Sequence, residues 1–252
     1  MLNVPTPPVM SLSVVIPVYN ERGNIGPLVH EVVRHLRGRV AFDVICVDDH
    51  SDDDTRDVLA GLKAEVPELR VLLHQQRSGQ SAAIRTGVKH ALSPWIATLD
   101  GDGQNDPADI LKLIAARDGG NPQTKLFAGW RVDRKDTASK RWASRWANRI
   151  RQRLLRDDTP DTGCGIKLFE RAAFLELPYF DHMHRYLPAL MQRAGWKTVS
   201  VPVSHRPRGS GHSKYTNLGR ALVGIRDLMG VSWLIQRSHV TPISELNVGR
   251  KP

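Results

Sequence analysis

Two carboxylates, Asp100 and Asp102, follow a short apolar run in the stretch ATLDGDGQND. Asp and Gly are both favoured in tight turns, so a turn alone would account for the repeated Asp-Gly pairs. The same spacing permits metal chemistry, because a single intervening glycine lets both carboxylates reach one divalent cation, directly or through water. Hard oxygen ligands of this kind suit Mg²⁺ or Mn²⁺. The local sequence leaves the turn and the metal site as alternatives.

The elements that position these carboxylates are predicted by four apolar runs in the first half of the chain. The runs cover residues 12–18, 42–48, 69–74 and 94–100, and stretches of helical period separate them. Strands that alternate with helices are typical of a parallel sheet with crossover helices on its faces. Because ligands of such sheets bind beyond the carboxyl ends of the strands, we expect one site at that edge.

Polar and acidic side chains follow each of these runs at the predicted edge. A cluster of like charges is unfavourable unless a cation lies among them. A divalent metal that carries a diphosphate would supply that cation, which favours metal chemistry over a simple turn. The residues at the four strand ends are Pro17, Tyr19, Asn20 and Glu21; Asp48, Asp49 and Ser51; residues 74–87; and Asp100 and Asp102.

The chain of 252 residues carries a formal net charge of +10, which favours anionic partners: nucleotides, nucleic acids or an anionic membrane face. Its two cysteines, Cys46 and Cys164, have no His or Cys neighbours at metal-ligand spacing. They indicate neither a disulfide framework nor a zinc site, and they fit a reduced cytoplasm. Residues 1–11 lack a signal-peptide pattern, and we expect a flexible lead-in there. No apolar run reaches the roughly 18 residues that a spanning helix requires.

The second half of the chain is more basic. The run at 134–156 combines Arg and Lys with Trp142 and Trp146, and it predicts a helix from about Ala138. A solvated helix with its Trp side chains in the core accounts for this run as well as a binding surface does. A basic membrane- or nucleic-acid-binding protein is the non-enzyme alternative. It leaves the acidic strand ends unexplained, since clustered carboxylates repel phosphate, and we expect no nucleic-acid partner.

Two enzyme classes with related folds are disfavoured. A nucleotidyltransferase would need a Gly-rich phosphate loop with Arg and Lys directly after the first strand, and IPVYNERGN is not such a loop. A nicotinamide-dependent oxidoreductase would need a G-x-G-x-x-G motif after a strand, and no such motif follows one of the four runs.

Five motifs resemble, in order and spacing, those of family 2 glycosyltransferases with the GT-A fold. The branch they resemble is that of the dolichyl- or polyprenyl-phosphate sugar synthases, similar to dolichyl-phosphate mannosyltransferase. This resemblance implies an α/β fold with a Rossmann-like, mostly parallel central sheet and helices on both faces, in a catalytic domain at 12–236. The motifs are SVVIPVYNE (13–21), VICVDDHSDDDT (44–55), LDGDGQNDP (99–107), GWR (129–131) and DTGCGIKLFER (161–171).

The resemblance also implies an inverting transfer of a sugar from a GDP- or UDP-sugar to a polyprenyl phosphate, with Mg²⁺ or Mn²⁺ as the cofactor. The implied nucleotide-binding residues are Pro17, Tyr19, Glu21, Asp48, Asp49, Gln80 and Asp100. The implied metal ligands are Asp100, Asp102 and Gln104. The implied residues at the acceptor phosphate are Arg131, Arg208 and Lys214, and the implied catalytic residues are Asp102, Arg131 and Asp161.

Two features favour a phosphate acceptor over a hydroxyl acceptor. A hydroxyl needs a carboxylate base, and the Glu-Asp pair of family members that use one is missing, since DTGCGIKLF has only Asp161. A phosphate oxygen is already anionic near neutral pH, and the planar donors of arginine suit it. Asp161 either orients an active-site group or caps a helix. A glycosyltransferase that acts on a saccharide hydroxyl of a cell-envelope glycan stays as the alternative.

The segment 217–236 predicts an amphipathic helix near the end of the catalytic domain. Such a helix either packs on the core or lies on an anionic bilayer. The second arrangement would place the enzyme in the cytoplasm, peripherally at the inner face of the plasma membrane, with a membrane-protein partner or a homo-oligomer left open. Residues 237–252 are expected to be a flexible tail. The apolar residues predicted on one helical side are Leu218, Leu222, Ile225, Met229 and Trp233.

Overall fold

The structure is a computed structural model, and it describes residues 11–132, 151–207, 217–237 and 241. The predicted lead-in lies outside these ranges except for Ser11, which begins the first strand. The predicted tail also lies outside them except for Arg237, which ends the last helix, and residue 241. Trp142 and Trp146 lie outside them as well. The strands are β1 (Ser11–Val18), β2 (Ala41–Asp48), β3 (Leu69–Leu73), β4 (Trp95–Thr98), β5 (Thr124–Arg131), β6 (Lys167–Glu170) and β7 (Lys197–Val203).

These strands form one sheet in the order β3-β2-β1-β4-β6-β5-β7. Strand β6 runs antiparallel to β4 and β5, whereas the other neighbouring strands pair in parallel. The predicted mostly parallel sheet is therefore confirmed. Because β6 is reversed, its first residues lie beside the carboxyl end of β4, where Thr98 pairs with Lys167.

Helices cover both faces of the sheet, as predicted. Successive side chains of a strand point to opposite faces. Val14 and Ile16 accordingly enter one buried cluster with α1 and α4, and Val15 enters a second cluster with α3 and α6. Residues 151–155 are also helical. The helices are α1 (Ile25–Leu36), α2 (Thr55–Glu65), α3 (Gln80–His90), α4 (Asp109–Asp118), α5 (Arg171–Leu175), α6 (Leu187–Arg193) and α7 (Asn217–Arg237), with a 3₁₀ turn at Met183–Arg185.

The C-terminal helix α7 packs on the core, but not through the predicted side. Val231 is buried, and Leu228 and Ile235 pack against the cluster that contains α3 and α6. Ile225, Met229 and Trp233 are exposed by 58%, 68% and 61%. The helix has apolar residues on two sides, so helical spacing alone did not decide which side the core would cover. The side chains of Leu218 and Leu222 lie outside the described residues.

Among the helices that the structure describes, none combines the length and the apolar character needed to cross a bilayer.

Gly87 tests how closely α3 is packed on β1. A methyl group at this position would overlap Cγ1 of Val15, which is fully buried and therefore cannot move aside. We expect Gly87→Ala to lower the free energy of unfolding by about 1–3 kcal/mol, as overpacking in a core does. The matched control is Gly61→Ala in α2, where no atom lies within 4 Å. It should raise the stability by up to about 1 kcal/mol. Urea unfolding of both variants measures the difference, and equal midpoints would contradict the predicted overlap.

Candidate active site

A cavity of about 540 Å³ lies at the carboxyl ends of the parallel strands. The loops after β1, β2 and β4 contribute to its wall, and so do the end of β5 and the beginning of the reversed strand β6. The predicted site at this edge of the sheet is thus formed by residues from both halves of the chain. The predicted residues that line it are Pro17, Tyr19, Glu21, Asp49, Gln80, Asp100, Asp102, Gln104 and Arg131.

The two carboxylates of the Asp-Gly-Asp-Gly stretch both face this cavity. Gln80 Nε2 donates a hydrogen bond of 2.8 Å to Asp100 Oδ1, and the Gln104 N–H donates one of 3.1 Å to Asp102 Oδ1. The stretch is also a turn, in which Gly103 has φ +73. The turn and the metal-site interpretations are therefore compatible, since the turn holds both side chains against one cavity.

Burial sets the electrostatics of Asp100. It raises the pKa of the Asp100 carboxyl, and the negative charge of Asp102 raises that pKa further. Lys167, the hydrogen bond from Gln80 and the charge of Arg131 act in the opposite direction. A cation between the two carboxylates would relieve the remaining repulsion.

Asp49 also lines the cavity, and the resemblance places the nucleoside beside it. The N–H groups of Ser78 and Gly79 donate to its two carboxylate oxygens, each over 2.8 Å. His74 Nδ1 lies 2.8 Å from Asp49 Oδ1. These contacts hold the carboxylate in one orientation, and Oδ2, which accepts only from Gly79, keeps a lone pair that can accept a further N–H.

Asp48 does not line the cavity, contrary to its predicted place beside Asp49. Its side chain is fully buried and forms an ion pair with Arg56, with a distance of 2.8 Å between Asp48 Oδ2 and Nε. The Asp48 carboxylate also accepts from the Ser51 N–H at 3.3 Å. Adjacent residues of an extended chain point in opposite directions, so only one of the two aspartates can face the ligand. We therefore assign Asp48 to shaping the loop after β2.

Arg131 and Asp161 meet at the third wall of the cavity. Arg131 Nε and Nη2 donate to Asp161 Oδ2 and Oδ1 over 2.7 and 2.9 Å, which is a bidentate pair. Burial raises the pKa of Asp161, but the hydrogen bonds and the charge of Arg131 outweigh burial and lower it overall. No helix follows Asp161, since the next element is β6, so the helix-cap interpretation is wrong. Asp161 instead orients the Arg131 guanidinium.

Several cavity residues were missed by sequence reasoning. The Arg77 guanidinium lies 4.1 Å from the centre of the Tyr19 ring. Lys167 is buried at the start of β6, where its Nζ donates to the carbonyl of Cys164. Burial lowers the pKa of Lys167, and nearby Cys164 and Asp100 oppose that change. His184 and Arg185 come from the 3₁₀ turn before α6, and no motif in the sequence had marked that turn.

The two basic residues expected near the acceptor, Arg208 and Lys214, lie outside the described residues. The described chain that leads to them passes beside the site, because the Arg206 N–H donates to the Gln104 carbonyl over 3.0 Å. The Arg206 side chain pairs with Glu31 and Asp106, each over 2.7 Å. These contacts fix the start of the segment at the rim near Asp102.

The donor set at Asp100 and Asp102 fits a divalent cation that a ligand helps to hold. Among the described residues, no three His, Cys, Asp or Glu side chains lie close enough together to hold a metal ion by themselves. Two carboxylates and the amide oxygen of Gln104 leave coordination positions for diphosphate oxygens and water, which is how Mg²⁺ is usually bound with phosphates. The like charge on these two neighbouring carboxylates, which raises the pKa of Asp100, is the observation that favours a cation here.

A substitution at Gly165 tests whether nucleotide binding depends on the position of the Asp100 carboxylate. A methyl group at this glycine would overlap both carboxylate oxygens of Asp100 and displace them. We expect Gly165→Ala to weaken the binding of UDP or GDP in the presence of Mn²⁺ by about tenfold or more, the loss of roughly one charge-assisted contact. The matched control in the same loop is Gly163→Ala, whose nearest neighbour, Arg131 Nη2, lies at an ordinary 3.5 Å. Calorimetric titration measures both, and equal affinities would remove Asp100 from the site.

Two known proteins are similar to this chain in sequence. The chain is 33% identical over 238 residues to dodecaprenyl-phosphate galacturonate synthase of Rhizobium johnstonii, covering 90% of this chain and 68% of the relative. It is 32% identical over 213 residues to undecaprenyl-phosphate 4-deoxy-4-formamido-L-arabinose transferase of Klebsiella pneumoniae, covering 83% of this chain and 64% of that relative. The chain thus spans about two thirds of the length of these relatives.

Solved structures show the same fold. Glucosyl-3-phosphoglycerate synthase from Mycobacterium tuberculosis, in complex with Mg²⁺ and UDP, superimposes with a TM-score of 0.66 at 17% identity, covering 92% of this chain and 81% of the other. The same enzyme with Mn²⁺ and UDP-glucose gives a TM-score of 0.64 at 17% identity, over 88% and 79% of the two chains. The model of the family described as glycosyl transferase family 2 matches residues 13–177, more than half of the chain. The protein therefore belongs to glycosyl transferase family 2, with the GT-A fold.

Proposed function

We propose that this glycosyltransferase moves a sugar from a nucleotide sugar, GDP- or UDP-linked, to a polyprenyl phosphate, with Mg²⁺ or Mn²⁺ at Asp100 and Asp102. The observation that carries the proposal is a single cavity with paired carboxylates on one wall and an oriented arginine, Arg131, on another. The relatives are named for dodecaprenyl and undecaprenyl phosphate acceptors, which supports the acceptor class. The sugars in their names are galacturonate and a formamido-arabinose, in place of the mannose of the enzyme that the motifs resemble.

The donor nucleoside lies at the end of the cavity formed by Pro17, Tyr19, Glu21 and Asp49 in this proposal. Asp49 accepts from a ring N–H of the base, because its carboxylate is fixed by the N–H groups of the loop after β3. Uracil and guanine offer such an N–H, and adenine does not present one in the same place. The Tyr19 ring, with Arg77 against it, closes this end.

Asp100, Asp102 and Gln104 would hold the divalent cation. The cation, when bound, supplies positive charge to the diphosphate that leaves, which is stabilisation aimed at the transition state. Gln80 keeps Asp100 turned toward this position through its hydrogen bond of 2.8 Å. Gly165 lets the carboxylate lie directly on the backbone of the loop before β6, so the side chain is held from two sides.

Arg131 binds the acceptor phosphate in this mechanism. Its bidentate pair with Asp161 uses Nε and Nη2, and Nη1 has no hydrogen-bond partner in the described part of the chain. A phosphate monoester is already anionic near neutral pH, so its oxygen attacks without a strong general base. Asp161 is poorly suited to be such a base, because Arg131 lowers its pKa. This pairing favours the phosphate acceptor over the alternative, a saccharide hydroxyl of a cell-envelope glycan.

The exposed side of α7 supports a peripheral position at the inner face of the plasma membrane, in the cytoplasm. Ile225, Met229 and Trp233 recur every four residues and are exposed, and the exposed Arg226 lies beside them. Apolar side chains flanked by basic ones bind the boundary of an anionic bilayer. An enzyme bound at this boundary would lie next to a lipid-linked acceptor in the same membrane. A membrane-protein partner or a second copy of the chain on the same side of α7 is the competing explanation for its exposure.

Asp102→Asn tests the metal and nucleotide assignment. The variant should fold, and transfer should fall by about a hundredfold or more, because one charge of the metal site is lost. A labelled-sugar transfer assay measures the rate, and the melting temperature with Mn²⁺ and UDP, GDP or ADP measures binding. For the wild-type protein, UDP or GDP should raise the melting temperature more than ADP does. The control is Asp118→Asn at the exposed end of α4. Full activity of Asp102→Asn would reduce the Asp-Gly stretch to a turn.

The acceptor class is tested with undecaprenyl phosphate. The enzyme and a radiolabelled sugar nucleotide should yield an organic-extractable, acid-labile product, since the new bond is a glycosyl phosphate. Arg131→Ala should lose this product and still bind nucleotide with Mn²⁺, because the arginine contacts the acceptor and not the base. A water-soluble saccharide product, with nothing in the organic phase, would favour the hydroxyl-acceptor alternative.

A further inference from the structure

The cavity wall carries charges of both signs. Its carboxylates belong to Glu21, Asp49, Asp100 and Asp102, and its cationic side chains include Arg77, Arg131, Lys167 and Arg185. Gln80, which donates to Asp100, is followed by Ser81, which contacts His184 beside Arg185. A nucleotide sugar with its diphosphate at Asp100 and Asp102 therefore has its sugar within reach of the part of the wall that carries Arg185.

Arg185 is held firmly at this wall. His184 Nδ1 lies 2.7 Å from the Ser81 hydroxyl, and the His184 N–H donates to the same oxygen over 3.3 Å. Ser81 follows Gln80, whose side chain binds Asp100, so the turn that carries Arg185 is tied to the metal position through the start of α3. The neighbouring Tyr186 and Leu187 are buried. The backbone of Arg185 is therefore fixed relative to Asp100.

Within the described part of the chain, the Arg185 guanidinium has no partner. Its side chain makes no hydrogen bond or ion pair with any residue in the described ranges, whereas Arg131 pairs with Asp161 and Lys167 donates to the Cys164 carbonyl. Arginine stays charged at all working pH values and presents a planar set of donors that matches a carboxylate. Burial lowers the pKa of His184 well below its usual range, so His184 adds no charge of its own. The unpartnered cation on this wall is thus Arg185.

We propose that Arg185 binds a carboxylate on the donor sugar, so that the donor class is a nucleotide-linked uronic acid and not a neutral hexose. This inference rests on the proposed function, since it assumes that a nucleotide sugar occupies the cavity. Arg185 acts as a specificity residue: the uronate carboxylate receives its N–H groups, while a neutral hydroxymethyl group would leave the guanidinium without an anionic partner. Lys167 contributes positive potential behind the sugar without contacting Arg185.

The test is equilibrium binding of donors to the full chain with Mn²⁺ and without any acceptor, so that no acceptor phosphate can occupy Arg185. The matched ligand pairs are UDP-galacturonate with UDP-galactose, and GDP-mannuronate with GDP-mannose. Within the pair that carries the nucleoside this protein binds, we expect the uronate-linked nucleotide to bind about ten- to a hundredfold more tightly than the hexose-linked one. This is the range of a charge-assisted contact. Arg185→Gln should abolish this preference, and Arg185→Lys should retain part of it, because the charge stays but the planar donors are lost.

The control is Arg85→Gln on α3, where the Arg85 guanidinium lies 4.5 Å from the centre of the Tyr179 ring and does not line the cavity. It should keep the uronate preference. UDP or GDP alone, measured with each variant, reports whether the fold and the nucleoside end are intact.

Three outcomes would overturn the inference. Equal binding of uronate and hexose by the wild-type protein, with UDP or GDP still bound, removes it and leaves the proposed function standing. A preference that survives Arg185→Gln, with weaker binding of undecaprenyl phosphate, assigns Arg185 to the acceptor. A failure of every nucleotide to bind removes the proposed function as well. If Arg185→Gln fails to fold, the comparison of uronate-linked and hexose-linked nucleotides with the wild-type protein still tests the inference.

Discussion

The pairing of the reversed strand β6 with β4 is the constraint on which the site depends. This pairing places Thr98 opposite Lys167, and the Thr98 hydroxyl donates to the Gly165 carbonyl over 2.7 Å. The loop before β6 is thereby pressed against the end of β4, where the Asp100 carboxylate lies on Gly165. A side chain larger than hydrogen at that glycine has no room. The pairing of β4 with β6 thus joins the half of the chain that supplies Asp49 and Asp100 to the half that supplies Asp161 and Lys167.

Two carboxylates at the site are paired with arginines. Asp161 is neutralised by Arg131, and Asp48 by Arg56, each with charge-assisted hydrogen bonds. Among the described residues, Asp100 forms no such ion pair: burial and Asp102 raise its pKa, and the charge of Lys167, which also lines the cavity, opposes them. The repulsion between Asp100 and Asp102 is thus only partly offset by the protein's own cations.

The helices differ in how much of their surface is buried against the sheet. Helices α1 and α4 fill one face of the sheet, and α3 and α6 fill the other, so these four stabilise the strands whose ends form the cavity. Helix α7 lies outside this arrangement and covers part of the second cluster with Val231. Its opposite side keeps Met229 and Trp233 exposed. A helix held by one face in this way presents the other face at a fixed place relative to the cavity.

The sequence by itself determined the sheet and the edge at which ligands bind, because alternating apolar runs and strand-end carboxylates are local patterns with a direct structural meaning. It also marked Asp49, Asp100 and Asp102, which the structure brings to one cavity. Only the tertiary structure decided that Asp48 turns inward to Arg56, that Asp161 holds Arg131, and that α7 packs through Val231. The physical reason is that these outcomes depend on contacts between residues far apart in the chain, or on the choice between two equally apolar helix sides. Arg185 belongs to the same class, since no local pattern reveals that the turn before α6 contacts Ser81, the residue after the Gln80 that binds Asp100.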